Sequence, residues 1–103
     1  MIKATVLYKN EEGKNFDMKY YIETHIPLVK RLLGSACKKA EVEKGLSGQT
    51  PGSSPAYTVI GYLYFDSIED FQNSFGPNAN EIVNDVPNFT DIIPVVQISD
   101  VII

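Results

Sequence analysis

Tyr57-Thr58-Val59-Ile60-Gly61-Tyr62-Leu63-Tyr64-Phe65 is a run of β-branched and aromatic residues, the composition of a strand. It does not alternate apolar with polar, so a strand here has both faces covered. Just upstream, Gly45 to Pro55 is a loop of turn formers, and Ala36 to Leu46 reads as a second strand. In that strand Val42 is apolar among Lys38, Glu41, Glu43 and Lys44, a pattern suited to a sheet edge. The loop is no phosphate cradle: it lacks a Gly-Lys-Ser/Thr ending, and a strand follows it rather than a helix.

Working outward, Ile2 to Tyr8 reads as the first strand, closed by the charged turn Lys9 to Lys14. Asn15 or Asp17 can cap a helix that runs to Leu33, with Gly34 as its stop. Pro27 lies inside this span and predicts a bend or break near His25. Ser67 and Asp70 make a capping-box-like start, and Ile68, Phe71 and Phe75 give a second amphipathic helix. Gly76-Pro77 interrupts it, Ala79 to Asp85 restarts a helical segment before Pro87, and Asn88 to Asp91 is a connector. Ile92 to Ile103 reads as the last strand, apolar on both faces apart from Gln97, Ser99 and Asp100.

The order β-α-β-β-α-β is the ferredoxin-like α+β arrangement, a four-stranded antiparallel sheet with two helices on one face. A single domain over residues 1–103 accommodates it. Two helices cover one face only, so the apolar groups expected on the other call for a second copy packed sheet to sheet. The expected assembly is a homodimer through the open sheet face, a dimeric α+β barrel.

Nine basic residues against thirteen acidic ones give a net charge of −4, which argues against nucleic acid as a partner. No apolar run approaches the roughly 18 residues of a membrane span, and Met1 to Val6 has no signal-peptide core; the cytoplasm is the expected compartment. Cys37 is alone, and one His, one Cys and unpaired acids do not build a transition-metal site.

The chemistry concentrates around His25. At 3.6 residues per turn Tyr21, His25, Leu28 and Leu32 share one stripe, flanked by Met18 and Val29, with Lys19, Glu23 and Lys30 opposite. An imidazole there is either a satisfied core residue or the acid, base or donor of a site. Tyr21 follows the same stripe and Tyr20 does not. Asp17 precedes His25 by two turns and either orients it or caps the helix. Tyr62 and Tyr64 share one sheet face: turned to the helices they meet a ligand, turned away they anchor a partner. Phe89, Thr90 and Asp91 occupy a connector, where residues serve either function or structural capping.

The blocks Phe16 to Val29, Val42 to Gly48 and Asp85 to Asp91 resemble the EthD family, named for ethyl tert-butyl ether degradation. The resemblance spans nearly the whole chain, and its Tyr-Tyr-x-x-x-His-x-Pro-Leu core is fairly specific. It implies a dimeric α+β barrel with Tyr21, His25 and Pro27 as a pocket motif and Phe89 and Asp91 nearby. Founding members accompany an ether-oxidising cytochrome system, relatives are often labelled reductases, and fungal proteins with such domains act on aromatic polyketides. The implied function is an oxidoreductase-associated, EthD-type small-molecule enzyme of catabolism. It would act on an apolar, phenolic or quinone-like compound, with His25 moving a proton and Tyr21 orienting the ligand. The alternative is a non-catalytic carrier of a hydrophobic ligand for a partner oxygenase. No Rossmann fingerprint is present, so the cofactor stays unknown, and a reductase would hold flavin or nicotinamide by other means.

Overall fold

The computed structural model describes residues 1–103. Strands β1 (Ile2–Lys9), β2 (Lys39–Lys44), β3 (Tyr57–Phe65) and β4 (Val95–Asp100) form one antiparallel sheet in the order β2-β3-β1-β4. All helices lie on one face. The element order and topology are those of the ferredoxin-like α+β fold, with the charged β2 at a sheet edge as its sequence suggests.

The first helix, α1, is continuous but composite: α-helical over Met18–Tyr20, π-helical over Tyr21–His25 and α-helical over Ile26–Leu33. The Asp17 side chain caps it by accepting from the Tyr20 N–H at 3.1 Å. Pro27 does not break it. The Ile26 N–H bonds the Tyr21 carbonyl five residues back, and Pro27 falls in the first turn of the new α-helical frame, where a missing N–H is tolerated.

This π turn corrects the expected stripe. It consumes one extra residue, so every position beyond it advances by one. Val29 and Leu33, rather than Leu28 and Leu32, follow Tyr21 and His25 into the core. Leu28 and Leu32 are only partly buried.

The second helical layer is α2 (Ile68–Phe75), capped by the Ser67 hydroxyl accepting from the Asp70 N–H, then a 3-10 turn at Gly76–Asn78 and α3 (Ala79–Asp85). In β3 the helix-facing residues Val59, Leu63 and Phe65 are buried, and Phe65 is fully so. They join Ala4, Val29, Leu33 and Ile82 at one end, and Tyr8, Tyr21, Phe89 and Ile92 at the other.

Two expectations about the sheet change. The last strand begins at Val95 rather than Ile92, because Pro94 has no N–H to give a ladder, and Ile92 is buried as part of the connector. The open face is also less apolar than the sequence suggests. Leu7, Ile60 and Val95 lie there, but so do Lys3, Glu41, Glu43, Gln97 and Ser99.

Gly34 ends α1 at φ 62° and ψ −143°, a combination essentially restricted to glycine. A Cβ there would meet nothing within 4 Å, so Gly34→Ala isolates backbone strain. It should lower stability by about 1–3 kcal/mol in urea titrations without changing the slope.

Candidate functional site

The π turn presents Tyr21 and His25, its first and last residues, inward, and both are buried. Across from them α3 ends on Asp85. His25 Nδ1 lies 2.8 Å from Asp85 Oδ2. The other carboxylate oxygen accepts from the Tyr20 hydroxyl at 2.7 Å and from Asn88 Nδ2 at 2.9 Å. Tyr20 and Tyr21 therefore divide the work of one turn, Tyr20 bonding the carboxylate and Tyr21 facing the interior.

Burial pushes the Asp85 carboxyl up, but donation from Tyr20, Asn88 and His25 outweighs it and holds the group below its ordinary value. Burial lowers the His25 pKa, and Asp85 only partly opposes this. At neutral pH the pair is thus a neutral imidazole on a carboxylate. A carboxylate can only accept, so the proton sits on Nδ1 and Nε2 carries the lone pair. No group of the chain bonds Nε2, yet no sealed side-chain N or O atom lacks a partner, so Nε2 retains open surface.

His25 lines a cavity of about 310 Å³ between sheet and helices. Of its 17 lining residues 14 are hydrophobic, and the other three are His25, Gly61 and Pro94. Its polar groups are the imidazole and the phenols of Tyr8 and Tyr21. Burial pushes the Tyr21 hydroxyl up to about 12, against a lowering hydrogen bond from Tyr8. Burial and the Tyr21 phenol raise Tyr8 further, so both remain protonated donors. Val83 and Val96, each more than half exposed, mark the mouth.

Other residues singled out in the sequence fall elsewhere. Phe89 backs the imidazole, its ring centroid 4.6 Å away, while Tyr21 stacks on it at 5.6 Å and 16°. Asp17 is the helix cap, and its backbone N–H bonds the Phe89 carbonyl at 2.7 Å; it does not orient His25. Pro27 is exposed, and Asp91 accepts from the Asn15 N–H at 2.8 Å on the surface. Thr90, also in the connector, is buried and bonds the Asn15 carbonyl through its hydroxyl at 2.7 Å.

Tyr62 and Tyr64 take the outward branch of their alternatives. Tyr62 borders the cavity, but its hydroxyl donates to Glu43, as that of Tyr64 does to Glu41, with the Lys3 ammonium over both rings. Sequence reasoning did not assign Asp85, Tyr20 or Asn88. The available signal is that Asp85 opens the block Asp85 to Asp91, which carries part of the family resemblance.

No group of three or more His, Cys, Asp and Glu side chains is arranged to hold a metal ion. No helix is long and apolar enough to cross a membrane.

Fold and site together define a class: a small ferredoxin-like domain enclosing an apolar cavity, with one carboxylate-oriented histidine in its wall. A family model described as the EthD domain matches residues 9–93, and the chain belongs to the EthD family. It is similar to an EthD-like protein from Ralstonia eutropha JMP134, at 44% identity over 99% of this chain and 92% of that one, with a TM-score of 0.94. It shares its fold with an ethyl tert-butyl ether degradation family protein from Bacillus halodurans C-125, at 20% identity, 99% coverage of both chains and a TM-score of 0.75. A protein from Bacteroides fragilis NCTC 9343, described as dimeric, of unknown function and ferredoxin-like, aligns at 14% identity over 97% of this chain and 95% of that one, with a TM-score of 0.53. No match was found among curated proteins.

His25 is the only histidine, so its ring proton can be followed by NMR without assignment. Its titration midpoint should lie below 6.5, and Asp85→Asn should lower it further by removing what opposes burial. A midpoint raised by Asp85→Asn would contradict this balance. The unfolded imidazole takes up its proton near 6.5 and the folded one only at lower pH. The stability due to neutral His25 is therefore complete above 6.5 and is lost as pH falls toward the folded midpoint. Urea midpoints measured across that window should flatten in His25→Gln.

Proposed function

We propose that the protein binds a small, uncharged, mostly apolar compound in this cavity and that His25 moves a proton on it. The observation that carries the reading is the 2.8 Å bond between His25 Nδ1 and Asp85, which leaves Nε2 as a lone-pair acceptor at the cavity wall. Nε2 takes a proton from an acidic hydroxyl or an activated C–H of the ligand. The Asp85 carboxylate stabilises the imidazolium that forms, and the Tyr21 hydroxyl donates to the oxygen on which charge develops. A lining this apolar disfavours an ionic ligand and suits a phenolic or quinone-like ring. On this reading the site is an enzyme's. Any link to oxidative catabolism rests on the family's name and the resemblance.

4-Nitrophenol, a ring bearing an acidic hydroxyl, tests the reading. The wild type should bind it, and His25→Ala should weaken binding at least about tenfold. Equal affinity in both proteins would overturn the assignment. With any compound the wild type turns over, His25→Ala should bind without turnover. Binding with no turnover in either protein would favour the carrier reading.

We also infer that a second copy covers the open sheet face. Leu7, Ile60, Tyr62 and Tyr64 form a patch there that no helix covers, and the Bacteroides fragilis neighbour is described as dimeric. Light scattering should give twice the 11.5 kDa chain mass, and Ile60→Arg should give the single mass. A wild type at the single mass would remove the dimer.

A further inference from the structure

Gly61 stands in the middle of β3, paired with Val6 on one side and Val42 on the other. Glycine weakens a strand interior, so its presence here calls for a reason. Backbone conformation is not that reason, because the positive-φ glycines are Gly13, Gly34 and Gly52. Contact is. A Cβ on Gly61 would run into the Tyr21 hydroxyl oxygen, and within 4 Å it would otherwise meet only the ring carbon bearing that oxygen. The end of the phenol occupies the space a side chain would take. Both residues line the cavity.

We propose that Gly61 is a positioning residue: its missing side chain is a slot in the sheet that seats the Tyr21 hydroxyl at the cavity wall. Tyr21 is then held at both ends, its backbone by the π turn and its oxygen by β3. The ring between these anchors is the surface on which the imidazole stacks, 5.6 Å away and nearly parallel. The slot therefore fixes the phenol donor and, through the stacking, the imidazole plane. What the hydroxyl does for a ligand rests on the proposed function; where it sits does not.

The test compares the wild type, Gly61→Ala, Tyr21→Phe and the double variant. Phenylalanine lacks the one oxygen that an alanine Cβ would strike, so the double variant relieves the conflict. Gly61→Ala should shift the His25 ring-proton resonance and its titration midpoint. It should also weaken 4-nitrophenol binding about tenfold, the scale of one lost hydrogen bond. In the double variant the resonance and the midpoint should return to those of Tyr21→Phe, and the added methyl group should cost no further affinity. If Gly61→Ala does not fold, a folded double variant supports the slot, and an unfolded one overturns it. A wild-type resonance and midpoint in Gly61→Ala would overturn it equally. Failure of the wild type to bind 4-nitrophenol counts against the proposed function alone, since the imidazole readouts still decide the slot.

Discussion

The hydrogen bond between His25 and Asp85 joins two helices whose partners lie 60 residues apart, and most of the site depends on it. A carboxylate withdrawn from water is costly unless its lone pairs are used. Here they are used three times, by His25, Tyr20 and Asn88. The same contacts that keep Asp85 ionised hold His25 by Nδ1 and fix its tautomer, which leaves the lone pair on Nε2. The π turn makes this arrangement possible. It rotates α1 by one residue just where Tyr20, Tyr21 and His25 must point in different directions, two of them to Asp85 and one to the sheet.

The fold was largely legible because its signals are local and periodic. The unalternating run at β3, the caps at Asp17 and Ser67 and the stop at Gly34 each appear where the residue types require. The misreadings have physical causes. A π turn follows from tertiary packing, and the one local hint, Pro27, reads equally well as a kink. An unbroken 3.6-residue period therefore puts Leu28 and Leu32 where the structure has Val29 and Leu33. At the last strand, Ile92 and Ile93 have strand-like side chains, while Pro94 decides where the ladder begins.

The site was legible only in part. His25 and Tyr21 announce themselves because a titratable ring and a phenol on an apolar stripe are exceptions to the pattern. Asp85 is no exception. An acid at the end of a helix otherwise reads as a solvated residue, and nothing local links it to a histidine 60 positions earlier. The nearer candidate, Asp17, had a competing use as a cap, and the backbone took it. Tyr62 and Tyr64 had two faces open to them. Strand register decides between these, and register depends on which neighbours cover the sheet.

Burial and base strength pull against each other in this cavity. An apolar lining excludes water, so a ligand hydroxyl at Nε2 meets little competition and each hydrogen bond counts for more. The same lining lowers the proton affinity of the imidazole. Asp85 offsets that loss only partly, so His25 is neutral when the ligand arrives and a weaker base than a solvated histidine. A ligand must therefore bring an acidic hydrogen of its own. It must also place the resulting charge where the Tyr21 or Tyr8 hydroxyl can donate to it, since the apolar walls offer no other donor. A neutral ring bearing an acidic hydroxyl meets both conditions. A fully charged ligand is disfavoured on a separate ground, because it would surrender its hydration to walls that cannot replace it.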